Sequence, residues 1–312
     1  MKEDKEIKIV FMGTSSFAIP ALKALHSEFG IKCLVTLLDK PQGRGRKPVP
    51  TPIKNTAEQL ELPILQPENL KDEEFIDALK SIEPDIICVV AFRILPKIIY
   101  EIPRIGTFNI HPSLLPKYRG AAPINWTIIN GERETGISSF LLQDKIDAGD
   151  IILQKKYEVK ENWTAGDLHD FLSKESAPFA VGTCRALLSD SFRPLRQDES
   201  KASSAPKLFA EKSEINWNNS AINVRNFIHG HSPIPGAWTI FHGKRFKIFR
   251  VQCEKKANGV PGTFHIDKNN FTVNCETGAI SLLEFQLPDK KLSSFKQFIN
   301  GYRGGKEGKF GI

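Results

Sequence analysis

Apolar runs of strand length alternate with amphipathic stretches along the first half of the chain. The apolar runs predict strands at 7–13, 31–38, 62–67, 85–92 and 106–111. The stretches between them carry their apolar residues at helical spacing and predict helices at 17–30, 55–62 and 71–84. Strands that alternate with helices form βαβ units, so the pattern predicts an α/β fold with a mainly parallel sheet.

The pattern changes after residue 189. Residues 190–206 are polar, Ser-rich and poorly periodic, which predicts a linker. Beyond it, a helical stretch at 221–230 precedes strand-like runs at 237–241, 245–251, 262–266, 271–275 and 279–285. Short strands separated by Gly, Asn and Lys clusters are typical of a small barrel or sandwich. We therefore expect domains over 1–189 and 207–312, and a frayed C-terminal tail, KEGKFGI.

Composition narrows the class of protein. Of the 312 residues, 40% are hydrophobic and 25% are charged, as in an ordinary globular protein. No apolar run reaches the roughly 18 residues of a membrane span, and MKEDKEIKIVFMG resembles neither a secretory nor a transit peptide. The five cysteines lie far apart without a C-x-x-C pair. We expect a cytoplasmic protein without membrane contacts, disulfide framework or zinc site.

The net charge of +7 is unevenly distributed. Residues 207–312 hold 16 Lys and Arg against 8 Asp and Glu, whereas residues 1–206 hold 27 against 28. A basic module beside a neutral one favours a polyanionic partner, most simply nucleic acid. A surface adapted for solubility would carry the same charge, so the charge alone leaves both interpretations open.

The stretch FNIHPSLLPKYRGAAPINW, residues 108–126, begins as a strand and is broken by Pro112. Asn109 and His111 lie two residues apart, so they point to the same face at the carboxyl end of a strand, where parallel sheets bind ligands. An amide and an imidazole side by side suit the polarisation of a carbonyl. Asp147, in the acidic turn of GISSFLLQDKIDAGDIILQ, can aim a carboxylate at the same edge. The alternatives are a strand-end cap for the first two residues and an Asx-turn for Asp147.

NIHPSLLPKYRGAAPINW, followed downstream by DAGDIILQ, resembles the folate-dependent formyltransferases. The resemblance implies a Rossmann-like formyltransferase domain followed by a small OB-like β-barrel, with 10-formyltetrahydrofolate as co-substrate and no metal. By motif matching it implies Asn109, His111 and Asp147 as catalytic residues. The residues that it implies for folate binding are Phe92, Ile94, Leu95, Ser113, Leu114, Leu115 and Pro116. This chain has Phe92-Arg93 where the family usually has Tyr-Gly.

The stretch DKPQGRGRKPVPTPIK, residues 39–54, reads as an ordered but mobile basic loop and resembles the insertion that contacts initiator tRNA in the members acting on methionyl-tRNA. The resemblance implies a monomer that formylates the α-amino group of methionyl-initiator tRNA for translation initiation. Phe17 matches the aromatic residue that helps to house the methionine side chain. The residues implied in tRNA binding are Arg44, Arg46, Lys47, Lys207, Lys244, Arg245 and Lys247, with Arg250 as a further candidate.

Two alternative functions stay open. A sugar-nucleotide formyltransferase would use the same chemistry on a UDP-amino sugar, but the 39–54 loop and the basic C-terminal module argue against it. A tRNA-binding protein without catalysis fits the charge but leaves Asn109, His111 and Asp147 unexplained. His229 and His231 have ligand-like spacing within a sequence that indicates a turn, and GTSSFAIP lacks G-x-G-x-x-G, so neither a metal nor a dinucleotide is expected.

Overall fold

The structure is a computed structural model that describes residues 6–42, 47–254 and 259–311. By its packing the chain divides into two units. Unit 1 comprises Met1–Gly120, Thr135–Tyr157 and His169–Ser204, and unit 2 comprises Ala121–Glu134, Glu158–Leu168 and Ala205–Ile312. The domain boundaries expected from the sequence stay a prediction.

The secondary structure of the described ranges follows in chain order. Up to residue 204 the strands are β1 (Ile9–Gly13), β2 (Ile31–Val35), β3 (Lys40–Gln42), β4 (Lys47–Val49), β5 (Ile64–Leu65), β6 (Ile86–Val90), β7 (Gly106–His111), β8 (Glu134–Leu141) and β9 (Ile151–Glu158). The helices of the same range are α1 (Ile19–Phe29), α2 (Pro52–Gln59), α3 (Glu73–Ser81), α4 (Lys97–Tyr100), α5 (Pro123–Ile129) and α6 (Ala165–Leu187). The later elements are α7 (Ala221–Gly230), β10 (Ala237–Phe241), β11 (Lys244–Glu254), β12 (Thr263–Ile266), β13 (Phe271–Asn274), β14 (Ala279–Gln286), β15 (Ser293–Ser294), α8 (Phe295–Gly301) and β16 (Glu307–Lys309).

The sheet of unit 1 has the order β5-β2-β1-β6-β7-β8-β9. β1 pairs in parallel with β2 and β6, β6 pairs in parallel with β7, and β8 runs antiparallel to β7. Every residue of β1 and β6 is buried, as expected for parallel strands that are covered on both faces. The predicted mainly parallel, Rossmann-like sheet is confirmed. Because Gly13 pairs with Val90 and Val89 pairs with Asn109, the carboxyl ends of β1, β6 and β7 lie along one edge.

Helices α5 and α6 have no counterpart in the pattern-based prediction. α5 is short and starts at Pro123 inside an apolar, Pro-containing stretch that has the composition of a loop. α6 spans 23 residues in spite of an internal Pro178, a residue that usually marks a helix end. Pro123 occupies the first turn of α5, where proline is favoured, whereas in α6 tertiary packing overrides the internal Pro178.

The basic stretch 39–54 contains the β3–β4 hairpin and the start of α2. Pro52 occupies the first turn of α2, and the hydroxyl of Thr51 caps it by accepting from the Lys54 N–H at 3.3 Å. The Lys54 ammonium forms an ion pair with Asp39, with Nζ 2.8 Å from Oδ2. The charge of Lys54 is thus balanced within unit 1.

The sheet of unit 2 has the order β10-β11-β14-β13-β12-β16, and its neighbouring strands run antiparallel. The Gly311 N–H donates to the Ile240 carbonyl at 3.0 Å, which brings the chain after β16 back to β10. This curled antiparallel sheet confirms the expected OB-like domain. Its core is rich in phenylalanine: Phe241, Phe246, Phe264, Phe271, Phe285, Phe298 and Phe310.

The prediction of a frayed tail is wrong. Phe310 is 4% exposed, and its ring stacks on Trp217 with the centroids 5.4 Å apart. The three residues before it form β16 and pair with β12. Burying one phenylalanine stabilises a fold by about 1.5–3 kcal/mol, which is enough to order a short polar strand beside it.

Across the described ranges, every helix is too short or too polar to pass through a lipid bilayer. The same ranges contain no group of three His, Cys, Asp or Glu side chains arranged to hold a metal ion.

His229, at the end of α7, serves the backbone of β11. Its Nε2 lies 3.1 Å from the Val251 nitrogen, next to a shift in the β11–β14 register. Burial, and then the positive charges of Arg225 and Arg250, lower the pKa of His229 to about 4. The same Nε2 lies 3.2 Å from the Val251 carbonyl oxygen, to which it could only donate. The lowered pKa favours the neutral ring, which can accept the Val251 N–H through a bare Nε2.

Acid should therefore destabilise unit 2 through His229. Because the folded pKa lies below the ordinary value of 6.5, the unfolded chain binds more protons between about pH 4 and pH 6.5. The stabilisation is complete above about pH 6.5, and on the order of 3 kcal/mol is lost as the pH falls to about 4. Urea unfolding followed by tryptophan fluorescence measures this, since Trp126, Trp163, Trp217 and Trp238 all belong to unit 2.

The matched variant is His229→Gln, whose side-chain oxygen can still accept a hydrogen bond but does not titrate. In this variant, the slope of the unfolding free energy against pH between pH 4 and 6.5 should fall by the amount that corresponds to about one bound proton. An unchanged slope would show that His229 does not carry the effect.

Candidate active site

The site begins at the carboxyl end of β7. Phe108 and Ile110 are buried in the core, 0% and 2% exposed, while the alternate residues Asn109 and His111 point to the other face of the sheet. Asn109 pairs with Val89 on the parallel neighbour and with Phe140 on the antiparallel one. A strand hydrogen-bonded on both sides gives both side chains a fixed position.

The orientation of the His111 imidazole is set by a backbone carbonyl. The side chain is almost fully buried, and its Nε2 lies 2.8 Å from the carbonyl oxygen of Tyr118. Because a carbonyl oxygen only accepts hydrogen bonds, Nε2 must carry the hydrogen. Nδ1 is the nitrogen left on the other side of the ring, and it lies 3.8 Å from Oδ2 of Asp147.

A backbone N–H from the loop after β7 holds the Asp147 carboxylate in place. Its Oδ2 accepts the Gly120 N–H at 2.8 Å, from a residue 27 positions away in the chain. In an Asx-turn the donor would be a backbone N–H close to Asp147 in the chain, so the bond from Gly120 is not that of an Asx-turn. The turn itself is tight: Asp147 has φ +51°, and a Cβ on Gly149 would lie 1.6 Å from the Leu141 carbonyl oxygen.

The side chain of Asn109 is not satisfied by the protein. Its Oδ1 is buried and has no hydrogen-bond partner among the described residues. Buried polar atoms are nearly always paired in folded proteins, so an unpaired acceptor beside a histidine and an aspartate suits a ligand group that donates a hydrogen bond. The structure thus brings Asn109, His111 and Asp147 to one edge of the sheet of unit 1.

The loop after β7 is shaped by hydroxyl and amide groups of the next strands. The Ser138 hydroxyl donates to the Ser113 carbonyl at 2.6 Å and accepts the Leu115 N–H at 3.0 Å. Gln154 donates to the Leu115 carbonyl at 2.8 Å, and Ser113 donates to the Lys117 carbonyl at 2.7 Å. Of the predicted folate-binding residues, Ser113 and Leu115 are therefore buried parts of the loop, and Leu114 and Pro116 are partly exposed.

Sequence reasoning missed Ser138 and Gln154. Ser138 is fully buried in β8, and Gln154 interrupts the apolar start of β9. Polar residues inside apolar strands were the available signal, because such groups need partners when buried.

The second predicted folate segment follows β6. Ala91 has φ +50°, Leu95 is 6% exposed and Ile94 is 73% exposed. The Arg93 guanidinium donates to the carbonyls of Pro67 and Glu68 at 2.5 and 2.8 Å, and so anchors this segment to the chain after β5. An open cleft of about 360 Å³ lies beside it, lined by residues 68–71 and 93–96. Phe92 is half-buried in the adjoining core.

Phe17 follows β1 at the same edge of the sheet. It is 4% exposed, and its ring meets His169 of α6 edge-on with the centroids 5.3 Å apart. Its carbonyl accepts the Ser173 hydroxyl at 3.1 Å.

The predicted tRNA-binding residues divide into two groups. Arg44 and Arg46 lie outside the described residues, as does the side chain of Lys47 in β4. In unit 2, Arg245 lies over the Trp238 ring at 4.3 Å and Lys207 lies over the Phe209 ring at 5.7 Å.

Three further cations of β11 differ in how strongly carbonyl and carboxylate groups of the protein bind them. Lys247 donates to the Pro235 carbonyl at 3.2 Å, and the exposed Lys244 lies 3.9 Å from Asp289. Arg250 is bound to Asp167 at 2.9 Å and lies 3.8 Å from Glu284, so its charge is balanced inside unit 2. The structure therefore gives no support to Arg250 as a phosphate contact.

Comparison with known proteins adds the family. Residues 7–180 match the family model described as formyl transferase, and residues 207–303 match that of the formyl transferase C-terminal domain. The chain is 41% identical over 299 residues to a methionyl-tRNA formyltransferase of Clostridium perfringens, covering 95% of this chain and 97% of that protein. It is 40% identical over 315 residues to one of Porphyromonas gingivalis, with 97% of each chain covered.

Solved structures agree on the fold. The sugar 3N-formyl transferase WlaRD superposes with a TM-score of 0.65 at 21% identity, over 89% of this chain and 97% of the other. A methionyl-tRNA formyltransferase from Clostridium thermocellum superposes with a TM-score of 0.56 at 18% identity, over 89% and 99%. The resemblance to formyltransferases read from the motifs is confirmed. With two family models matched and 40% identity over nearly its whole length, the chain belongs to the methionyl-tRNA formyltransferase family.

Proposed function

We propose that this protein transfers the formyl group of 10-formyltetrahydrofolate to the α-amino group of methionyl-initiator tRNA, for translation initiation. The observation that carries the proposal is the 41% identity, over 95% of the chain, to a protein named for this activity. The meeting of Asn109, His111 and Asp147 at one edge of the sheet supports it. The alternative of a UDP-amino sugar substrate has only fold similarity behind it. We further expect the enzyme to act as a monomer in the cytoplasm.

The residues at this edge fit a folate that carries a formyl group. A bound 10-formyltetrahydrofolate would supply the formyl carbon that the amine attacks. The new bond from nitrogen to that carbon replaces the carbon's bond to N10, and N10 takes up a proton as tetrahydrofolate leaves. The unpaired Oδ1 of Asn109 can accept a hydrogen bond from a ligand. The partly exposed Leu114 and Pro116 and the exposed Ile94 offer apolar surface to a heteroaromatic ring. Related folds support this assignment, since WlaRD was solved with 5-N-formyl-THF and HypX of Aquifex aeolicus with tetrahydrofolic acid.

Asn109 and His111 act as hydrogen-bond donors to the formyl oxygen, on which negative charge develops during the attack. The Asn109 amide is a neutral donor. His111 donates through Nδ1, because Nε2 is already bonded to the Tyr118 carbonyl. Nδ1 is therefore the nitrogen that can meet the formyl oxygen, and the Asp147 carboxylate lies 3.8 Å from it. Donors held in place before the reaction stabilise the developing charge without reorganisation.

Asp147 has two tasks in this arrangement. Its Oδ2 faces His111 Nδ1 and is steadied by the Gly120 N–H. Its carboxylate also helps to remove the proton that the attacking amine releases, through a water molecule, since a carboxylate acts as general base only within hydrogen-bond reach or one water away.

The positive charge of unit 2 supports the proposal that tRNA is the partner. Its basic excess includes Arg245, Lys207 and Lys244, which are at the surface, whereas Arg250 is neutralised by Asp167. A cation stacked on an aromatic ring, as Arg245 is on Trp238, can still donate to a phosphate at its edge.

The substrate is tested by turnover with an isotope-labelled formyl donor. Labelled formyl should appear on methionyl-initiator tRNA, and none should appear on uncharged initiator tRNA, charged elongator tRNA or a UDP-amino sugar. Transfer to the sugar, or no transfer to the charged initiator, would contradict the proposal.

Asn109→Ala should lower kcat by about 10²–10³-fold, because one of the two donors to the formyl oxygen is lost. Binding of methionyl-tRNA, measured by gel shift, should change by less than about twofold, since the interaction forms only as charge develops. Asn223→Ala, at an exposed position of α7, is the matched control and should leave both quantities unchanged. Equal losses in kcat and in tRNA binding would instead assign Asn109 to substrate binding.

Arg44→Ala should raise the KM for methionyl-tRNA by about tenfold, because a phosphate contact of a basic loop is lost. The slope of the logarithm of tRNA affinity against the logarithm of salt concentration should decrease by about one. The KM for the folate should stay the same. Arg193→Ala is the control: its guanidinium donates to the carbonyls of Asp190 and Phe192 at the surface of unit 1. A matching rise in both KM values would exclude a specific tRNA contact.

A further inference from the structure

Residues 195–204, within the predicted linker, are tied to the two loops that carry the site of unit 1. Leu195 and Ile151 exchange backbone hydrogen bonds of 2.8 and 2.9 Å at the start of β9. At the other end, the Arg119 N–H donates to the Ser203 carbonyl at 2.8 Å. The segment therefore contacts both the turn that contains Asp147 and the loop that follows His111.

Gln197 is the central side chain of this segment. It is 5% exposed, and its Nε2 donates to the carbonyls of Asp147 and Gly149 at 3.0 and 2.7 Å. Its Oε1 accepts from Arg119, with Nη2 at 2.7 Å and Nε at 3.1 Å. Both hydrogens and both lone pairs are used, so the amide has one possible orientation and joins the two loops directly.

A charged contact reinforces the same connection. Arg119 donates to both carboxylate oxygens of Glu199 at 2.8 and 3.1 Å, and Lys145, two residues before Asp147, lies 2.5 Å from Glu199. Hydrogen bonds from these two cations lower the pKa of Glu199 to about 2, so it is ionised at neutral pH. Arg119 itself is mostly buried, with 11% of its side chain exposed.

The segment also reaches His111. The Ser203 hydroxyl accepts the Tyr118 N–H at 2.9 Å, and the Tyr118 carbonyl receives Nε2–H of His111. Arg119 is followed by Gly120, whose N–H binds the Asp147 carboxylate. Both partners of the His111–Asp147 pair are thus positioned from one short stretch of chain.

We propose that Gln197 is a positioning residue for formyl transfer: it fixes the Asp147 turn, and with it the carboxylate that faces Nδ1 of His111. The inference rests on the proposed function. Asp147 has the left-handed φ of +51°, which a non-glycine residue keeps only when its surroundings hold it. Without the two hydrogen bonds to the carbonyls of Asp147 and Gly149, the turn can relax and the carboxylate can move from its place opposite the imidazole. Displacements of about 1 Å in such groups lower rates by about 10²-fold.

The test is Gln197→Met, which keeps the length of the side chain and removes its hydrogen bonds. We expect kcat to fall by about 10–100-fold while the KM values for folate donor and methionyl-tRNA stay within about twofold. The pH profile of kcat should also change, because the distance between the His111 imidazole and the Asp147 carboxylate changes. Mere loss of folded protein lowers the active fraction without moving the pH profile.

Two further variants separate the possible causes. Gln197→Glu keeps an oxygen for Arg119 but sets a carboxylate against two carbonyls, so it should be at least as impaired as Gln197→Met. Should Gln197→Met fail to fold, Glu199→Gln offers a milder change at a half-exposed position, and it should also lower kcat and change the pH profile. The control is Gln286→Met in unit 2, where the amide donates to the Lys290 carbonyl at 2.7 Å and no effect on kcat is expected.

The outcomes are distinguishable. An inactive wild-type enzyme would remove the proposed function itself. An active wild type, together with a Gln197→Met or Gln197→Glu variant of normal kcat and normal pH profile, would overturn the positioning role alone. A rise in either KM with unchanged kcat would also overturn it, since Gln197 would then serve binding.

Discussion

The hydrogen bond between His111 Nε2 and the Tyr118 carbonyl determines how the rest of the site is arranged. A carbonyl accepts only, so this contact commits one imidazole nitrogen and leaves Nδ1 for chemistry. The bond exists because Pro112 ends the strand and the loop returns to place residue 118 beside the ring. The Asp147 carboxylate, steadied by Gly120, then lies on the side of the remaining nitrogen.

The two units differ in their cores and in the charge of their surfaces. In unit 1, a sheet buried on both faces gives rigid strand ends, and chemistry is confined to the loops at one edge. Unit 2 has a phenylalanine-rich core inside an antiparallel sheet and an excess of surface cations. Phe310 belongs to this core. The strand faces that point away from the core carry the charged residues.

Local patterns predicted the longer strands of both units and the Asn109–His111 pair, because a strand fixes which side chains share a face. They missed the short strands β3, β4, β15 and β16. They failed where long-range contacts decide. Nothing in the sequence near Arg250 shows that it is neutralised by Asp167, 83 positions away in the chain. Gln197 contacts Arg119, 78 positions away in the chain, and the Asp147 turn, 50 positions away. Because its own stretch has the composition of a linker, the local sequence does not indicate these contacts. The family resemblance supplied Asp147, which the residues alone left open as a turn former.

The most direct test of this account is the protonation of the His111 ring. With ¹⁵N-labelled histidine, correlation spectra assigned by a His111→Gln variant report which nitrogen carries hydrogen at each pH. We expect hydrogen on Nε2, the nitrogen that is bonded to the Tyr118 carbonyl. A neutral ring with hydrogen on Nδ1 and a bare Nε2 would contradict it, because the Tyr118 carbonyl would then face a lone pair.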